Sequence, residues 1–247
     1  MRLSIGPWRG GLAVVSLLAL AGCGGGGGGA TASTSGGNTN TTNAAAGVLC
    51  DYSDSGTQNL VYTQSLPGQS PTAVNETLAF NYAWTCDSSR KLSANGVPNH
   101  AVTGGNFATK ISAQTKTEPV TFALAPTAGS TATNVVISGY ALNGVKFEPN
   151  TAGKCVSGAT ALSQCNYAGG IGTWSMEALP GSVSPWRFDF GVDASNAHVQ
   201  PNGEYHYHGM PEGLLTKLGA SSNQMTLVGW ASDGFPIYAA YGYTTAD

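Results

Sequence analysis

Short runs of β-branched and aromatic residues, cut by Gly, Asn and Pro, set the pattern of this chain. Residues 60–63, 78–84, 120–124, 134–142, 145–147, 186–190 and 225–230 each have the length and composition of a strand. Turn signals separate them at Asn95-Gly96, Gly104-Gly105-Asn106, Asn143-Gly144 and Asp233-Gly234. Asn143-Gly144, between residues 140–142 and 145–147, predicts a two-residue hairpin. Two stretches predict short helices. One is 172–179, closed by Pro180-Gly181. The other is 211–218, with Pro211 at its first position, Glu212 in the first turn, Lys217 in the last and Gly219 beyond the end. Leu214, Leu215 and Leu218 give the second helix an apolar face, and Gly213 weakens it. Many short strands at near-regular spacing predict an all-β fold, a sandwich or partly open barrel in a single domain.

Gln200-Pro201-Asn202-Gly203 adds a register to this pattern. Pro at the second position has its φ already set, Asn suits the third, and Gly203 can take the left-handed conformation that closes a three-residue loop with a bulge. A two-residue loop would need φ > 0 at Pro201, which the pyrrolidine ring forbids. The three-residue loop pairs Val199 with Tyr205, His198 with His206, and Asn196 with His208. Alternation then puts Ala197, Val199, Tyr205 and Tyr207 on a core face, and His198, Gln200, Glu204, His206 and His208 on the other.

The chain has only four histidines, and three of them share that second face. Directly opposed residues have Cβ atoms about 4.5–5.5 Å apart, so His198 and His206 reach one ion, with His208 two residues along. Imidazole is the commonest transition-metal ligand, and a His₃ set leaves an open coordination position. All-nitrogen ligation suits Cu(II) or Zn(II). Glu204 is a candidate further ligand or partner to a ligand. His100, stiffened by Pro98, is a candidate fourth ligand from a distant turn. Against all of this stands a solvated polar strand face whose histidines stay wet.

Tyr205-His206-Tyr207-His208, preceded by Asn196-Ala-His-Val-Gln-Pro-Asn-Gly203 and followed by Gly209, resembles the YHYH-domain family of bacterial envelope proteins. The resemblance extends to Asn95-Gly-Val-Pro-Asn-His100, to Asn143-Gly-Val145 and to residues 229–238, and covers roughly residues 50–243. It implies a secreted or lipid-anchored β-rich domain and carries no established activity. Family members tend to continue into an acidic, Cys-containing segment. This resemblance therefore implies that the domain is truncated at Asp247 and lacks any ligand from that segment.

The N-terminus adds an address. Arg2 and Arg9 precede an apolar run, residues 12–20, too short to span a bilayer. Leu20-Ala21-Gly22-Cys23 matches the bacterial lipobox, so residues 1–22 read as a signal peptide and Cys23 as the lipidated residue. A multiply acylated cysteine suffices for stable membrane anchoring. Gly24 rather than Asp after the cysteine favours the outer membrane where the host has one. Residues 24–46 are a Gly/Ser/Thr/Asn tether with a root-mean-square span of about 26 Å. Residues 47–247 then form the domain.

Loss of residues 1–22 removes two of the ten Lys and Arg and none of the thirteen Asp and Glu, a net of −5. A mildly acidic domain without a basic stripe argues against nucleic acid as a partner. Cys50, Cys86, Cys155 and Cys165 remain, an even set in an exported chain. Pairing by proximity in sequence gives Cys50–Cys86 and Cys155–Cys165, one of three possible connectivities. Trp84, Trp174, Trp186, Trp230, Tyr140 and Tyr238 read as packing residues rather than a sugar platform. No nucleophile elbow, phosphate loop or dinucleotide fingerprint is present. The leading reading is a lipid-anchored envelope domain that binds copper or zinc through the histidine face without catalysis. The alternatives are a metal-dependent hydrolase with Glu204 or Asp233 as base, and a module that binds envelope polysaccharide or protein.

Overall fold

The longest element is a ribbon of two antiparallel strands, β1 (Tyr52–Gln64) and β2 (Thr72–Cys86). Strict alternation builds it: Val74, Phe80, Tyr82 and Trp84 of β2 are buried on one face, beside Leu60 and Tyr62 of β1. β3 (Arg90–Ala94), β4 (Asn106–Phe107) and β5 (Val120–Phe122) extend the ribbon into a sheet of order β4-β1-β2-β3-β5. The computed structural model describes residues 50–65, 69–115, 117–132, 135–151, 153–160, 162–166, 172–179 and 190–241.

A second sheet is made of three hairpins laid side by side. β6 (Gly139–Ala141) pairs with β7 (Lys146–Phe147), β11 (Ala197–Val199) with β12 (Tyr205–Tyr207), and β13 (Leu227–Ala231) with β14 (Pro236–Tyr238). The order is β11-β12-β7-β6-β13-β14, with β12 parallel to β7. The sheets share one core. Trp84 donates its indole N–H to the Leu142 carbonyl at 2.8 Å, and Phe107 meets Tyr205 edge to face. The fold is all-β, as the strand pattern predicts.

One turn closes all three hairpins. The N–H groups of Gly144, Gly203 and Gly234 donate to the carbonyls of Ala141, Gln200 and Ala231, each at 2.8 Å. These glycines have φ of +79°, +84° and +95°. The residue before each, Asn143, Asn202 or Asp233, accepts the amide of the residue after it. Gln200–Gly203 therefore forms the expected loop. Asn143-Gly144 does not form a two-residue hairpin. It takes the same three-residue loop as its sister turns, because Asn143 is needed as the side-chain acceptor and only Gly144 has to adopt positive φ.

Several other expectations shift. Residues 172–179 are not helical: they carry the extended β10 (Trp174–Ser175), which joins β8 (Lys154–Cys155) and β9 (Cys165–Asn166) in a small third sheet. The Cys155–Cys165 disulfide staples that sheet, and Cys50–Cys86 ties the start of the ribbon to the end of β2. Tertiary pairing across the stapled strands overrides the local helical signal. Trp174 is exposed rather than packed. Of the strand expected over 134–142, the described residues 135–142 hold only β6, and residues 134 and 186–189 lie outside the described residues. Helix α1 (Glu212–Leu218) is present, with Pro211 as its N-cap and Gly219 closing it at φ +68°. Leu214 is its fully buried side chain.

Candidate metal centre

The β11–β12 hairpin pairs Ala197 with Tyr207, His198 with His206, and Val199 with Tyr205. The His208 amide donates to the Asn196 carbonyl at 2.7 Å, continuing the register. Ala197, Val199, Tyr205 and Tyr207 face the core. The three histidines share the opposite face, and their ring centroids lie 4.5–4.8 Å apart.

Their Nε2 atoms converge. His208 Nε2 is 3.0 Å from His206 Nε2 and 3.1 Å from His198 Nε2. Every Nδ1 points away to an oxygen: His198 to the Phe190 carbonyl at 3.3 Å, His206 to the Glu204 carbonyl at 3.3 Å, and His208 to Glu177 Oε1 at 2.6 Å. Carbonyl and carboxylate oxygens only accept, so the Nδ1 atoms carry the protons. In a neutral ring this leaves Nε2 as the lone-pair nitrogen, and the three Nε2 atoms face one another. Bonds of 2.0–2.1 Å to a tetrahedral ion would set its nitrogens about 3.3 Å apart. Two of the three contacts, at 3.0 and 3.1 Å, are near that spacing, and all three ligand atoms lie within 4.8 Å of one another.

The face is not the wet strand surface that its polar composition suggests, since His206 and His208 are 2% and 7% exposed. Burial, reinforced by the neighbouring rings, pushes the basicity of His206 down to about 2. Burial likewise takes His198 down to about 4. Both rings therefore stand as neutral donors at neutral pH.

Charged groups edge this face. Lys146, paired across the parallel ladder with His206, holds Glu148 at 2.5 Å and Glu204 at 3.0 Å and donates to Gln200 Oε1 at 3.0 Å. Glu204 is thus engaged by an ammonium and is not one of the converging ligands. The carboxylate that does reach a ligand ring is Glu177. Burial acts to raise its pKa, but hydrogen bonds from His208 and from the Asn150 amide outweigh that and hold it below the usual range. Sequence reading missed Glu177. It lies 31 residues from His208, in the stretch read as helix. Its one local signal is a lone carboxylate among apolar residues in a chain that is only 9% charged.

The other candidates lie elsewhere. His100 is buried on the core side, with Nε2 2.6 Å from the Tyr207 hydroxyl and Nδ1 2.9 Å from the Ala101 carbonyl. Tyr207 projects from the face opposite the triad, so both nitrogens of His100 are committed behind the site. Asp233 is an exposed turn residue. Cys23 lies outside the described residues, while Cys50, Cys86, Cys155 and Cys165 form disulfides.

A family model described as YHYH protein matches residues 119–247, just over half of the chain. The match takes in the triad, Glu177 and the Asn143 turn but starts after Asn95–His100, a narrower extent than the sequence resemblance suggests. No curated protein and no solved structure matches the chain.

Proposed function

This chain belongs to the YHYH protein family, and from that premise we propose that it is a lipid-anchored protein of the bacterial envelope that holds one Cu(II) or Zn(II) ion on His198, His206 and His208 without catalysis. One observation carries the reading. Three Nε2 atoms converge while every Nδ1 faces an oxygen acceptor. In rings protonated only at Nδ1 these nitrogens carry lone pairs, so contacts of 3.0 and 3.1 Å call for a cation between them, a metal ion or a shared proton. With a metal ion they form a three-nitrogen site whose second nitrogens are oriented by acceptors, the usual support of a histidine metal ligand. The lipobox ending at Cys23 and the short apolar run before it support the anchor and the envelope location. The hydrolytic alternative has less support. Glu204 is drawn to Lys146, and Asp233 serves its own turn.

Metal analysis of chain purified without an affinity tag, followed by chelator competition, tests the reading. One ion per chain is expected. Single alanine substitutions at His198, His206 or His208 should each weaken retention by at least about tenfold. A wild-type chain that takes up neither Cu(II) nor Zn(II) after incubation and desalting would overturn it.

A further inference from the structure

Neutral imidazoles alone do not fix the charge of the ion they hold, since nitrogen donors serve Cu(I) as well as divalent ions. We infer that Glu177 is the specificity-determining residue of the site, biasing it toward a divalent over a monovalent cation. The inference rests on the metal reading above and goes beyond it to the charge of the bound species.

Two features of the surroundings carry it. Lys146 stands against Glu148 and Glu204, and Glu177 stands apart on His208. Carboxylates thus stand near the triad both through Lys146 and directly on a ligand ring. These carboxylates are not equivalent. Those of Glu148 and Glu204 are both held by the same buried ammonium. Glu177 alone among the described carboxylates hydrogen-bonds a ligand ring, at 2.6 Å.

The route from Glu177 to the ion runs through the imidazole. As Nδ1–H leans toward the carboxylate, electron density rises at Nε2. A doubly charged ion gains more from that than a singly charged one. Glu177 is 38% exposed, so water screens its direct field and the hydrogen bond is the main channel. The carboxylate is also held in place. Its Oε2 accepts the Asn150 amide at 2.7 Å and its Oε1 the Ala178 amide at 2.6 Å. The Met176 amide beside it is tied to the Gly153 carbonyl at 2.9 Å, next to the stapled sheet.

The test compares the full wild-type chain with Glu177→Gln and Glu177→Asp, using Zn(II) and Cu(II) as divalent probes and Ag(I) as the monovalent one, each in competition with a chelator. Glu177→Gln keeps a side-chain acceptor for His208 but removes the charge. It should weaken both divalent ions by about ten- to a hundredfold and Ag(I) by a clearly smaller factor. Glu177→Asp keeps the charge but draws it back from Nδ1, so its divalent preference should fall between the other two. This intermediate also decides the point if Glu177→Gln folds poorly. An equal loss for both valences, or an unchanged ratio in both variants, would show that Glu177 only orients the ring and would overturn the inference. A wild-type chain that binds none of the three ions would overturn the metal reading and this inference together.

Discussion

The Tyr207 hydroxyl stands 2.6 Å from His100 Nε2, on the core side of the strand whose other side carries His206 and His208. His100 Nδ1 donates to the Ala101 carbonyl, so Nε2 is the acceptor and Tyr207 the donor. The Asn143 amide donates to the same hydroxyl at 2.9 Å and to Asn99 Oδ1 at 3.2 Å. The segments around residues 95–100 and 143–145 thus meet at one buried oxygen directly behind the triad. Tyr207→Phe keeps the ring and leaves His100 Nε2 buried without its donor. It should cost about 1–3 kcal/mol of unfolding free energy, read from the urea midpoint of metal-free protein, while metal stoichiometry stays at the wild-type value. A change inside about 0.5 kcal/mol, the range of ordinary surface substitutions, would mean the network contributes nothing to stability.

The same burial sets a pH dependence. Desolvation, reinforced by the Lys217 ammonium and only partly offset by the Ala101 carbonyl, pushes His100 down to about 4 from 6.5. A depressed histidine takes up its proton in the unfolded chain first. Its contribution is therefore fully present above pH 6.5 and is lost as pH falls from there toward 4. The loss amounts to about 3 kcal/mol at the acid end of that window. Metal-free His100→Gln should lack this component, so its unfolding free energy should decline less steeply between pH 6.5 and 4 than that of wild type. Parallel slopes for the two proteins would remove His100 from the account of acid lability.

The part of the site that sequence reveals is the part governed by local geometry. Proline's fixed φ at Pro201 excludes the two-residue loop, and strand alternation then places His198, His206 and His208 on one face. The structure has that register. What escapes is set by long-range contact. His100 reads as a candidate ligand from a distant turn until Tyr207 meets it across 107 positions. Glu177 reads as helical until the Cys155–Cys165 sheet extends its neighbourhood and brings it to His208. Two-residue strands such as β8 and β10 carry too few side chains to leave a period in the sequence.

Anchoring should depend on one atom, the Cys23 sulfur. On the proposed lipoprotein reading the acyl chains sit on that residue, with residues 24–46 as the linker to the domain. Cys23→Ser should leave the precursor unlipidated and move the chain out of the membrane fraction after detergent-free lysis. Detergent partitioning equal to wild type would remove the lipoprotein reading.

Gly213 offers a test in which two principles predict opposite signs. In an exposed helix Gly→Ala gains about 1 kcal/mol from propensity alone, and α1 is short enough to need it. Here a Cβ would lie 2.5 Å from His100 Nδ1, 2.7 Å from its Cγ and 2.9 Å from Ser195 Oγ. The ring cannot withdraw, because both its nitrogens are bonded, and Ser195 Oγ already accepts the Gly213 amide at 3.2 Å. Overpacking of this kind costs about 1–3 kcal/mol, so Gly213→Ala should lower the urea midpoint despite the better helix former. The cause is separable by a double-mutant cycle. In a His100→Ala background most of the obstructing atoms are gone, and the same Gly213→Ala change should become neutral or stabilising. An equal loss in both backgrounds would show that Gly213 serves the helix backbone and not the approach of His100.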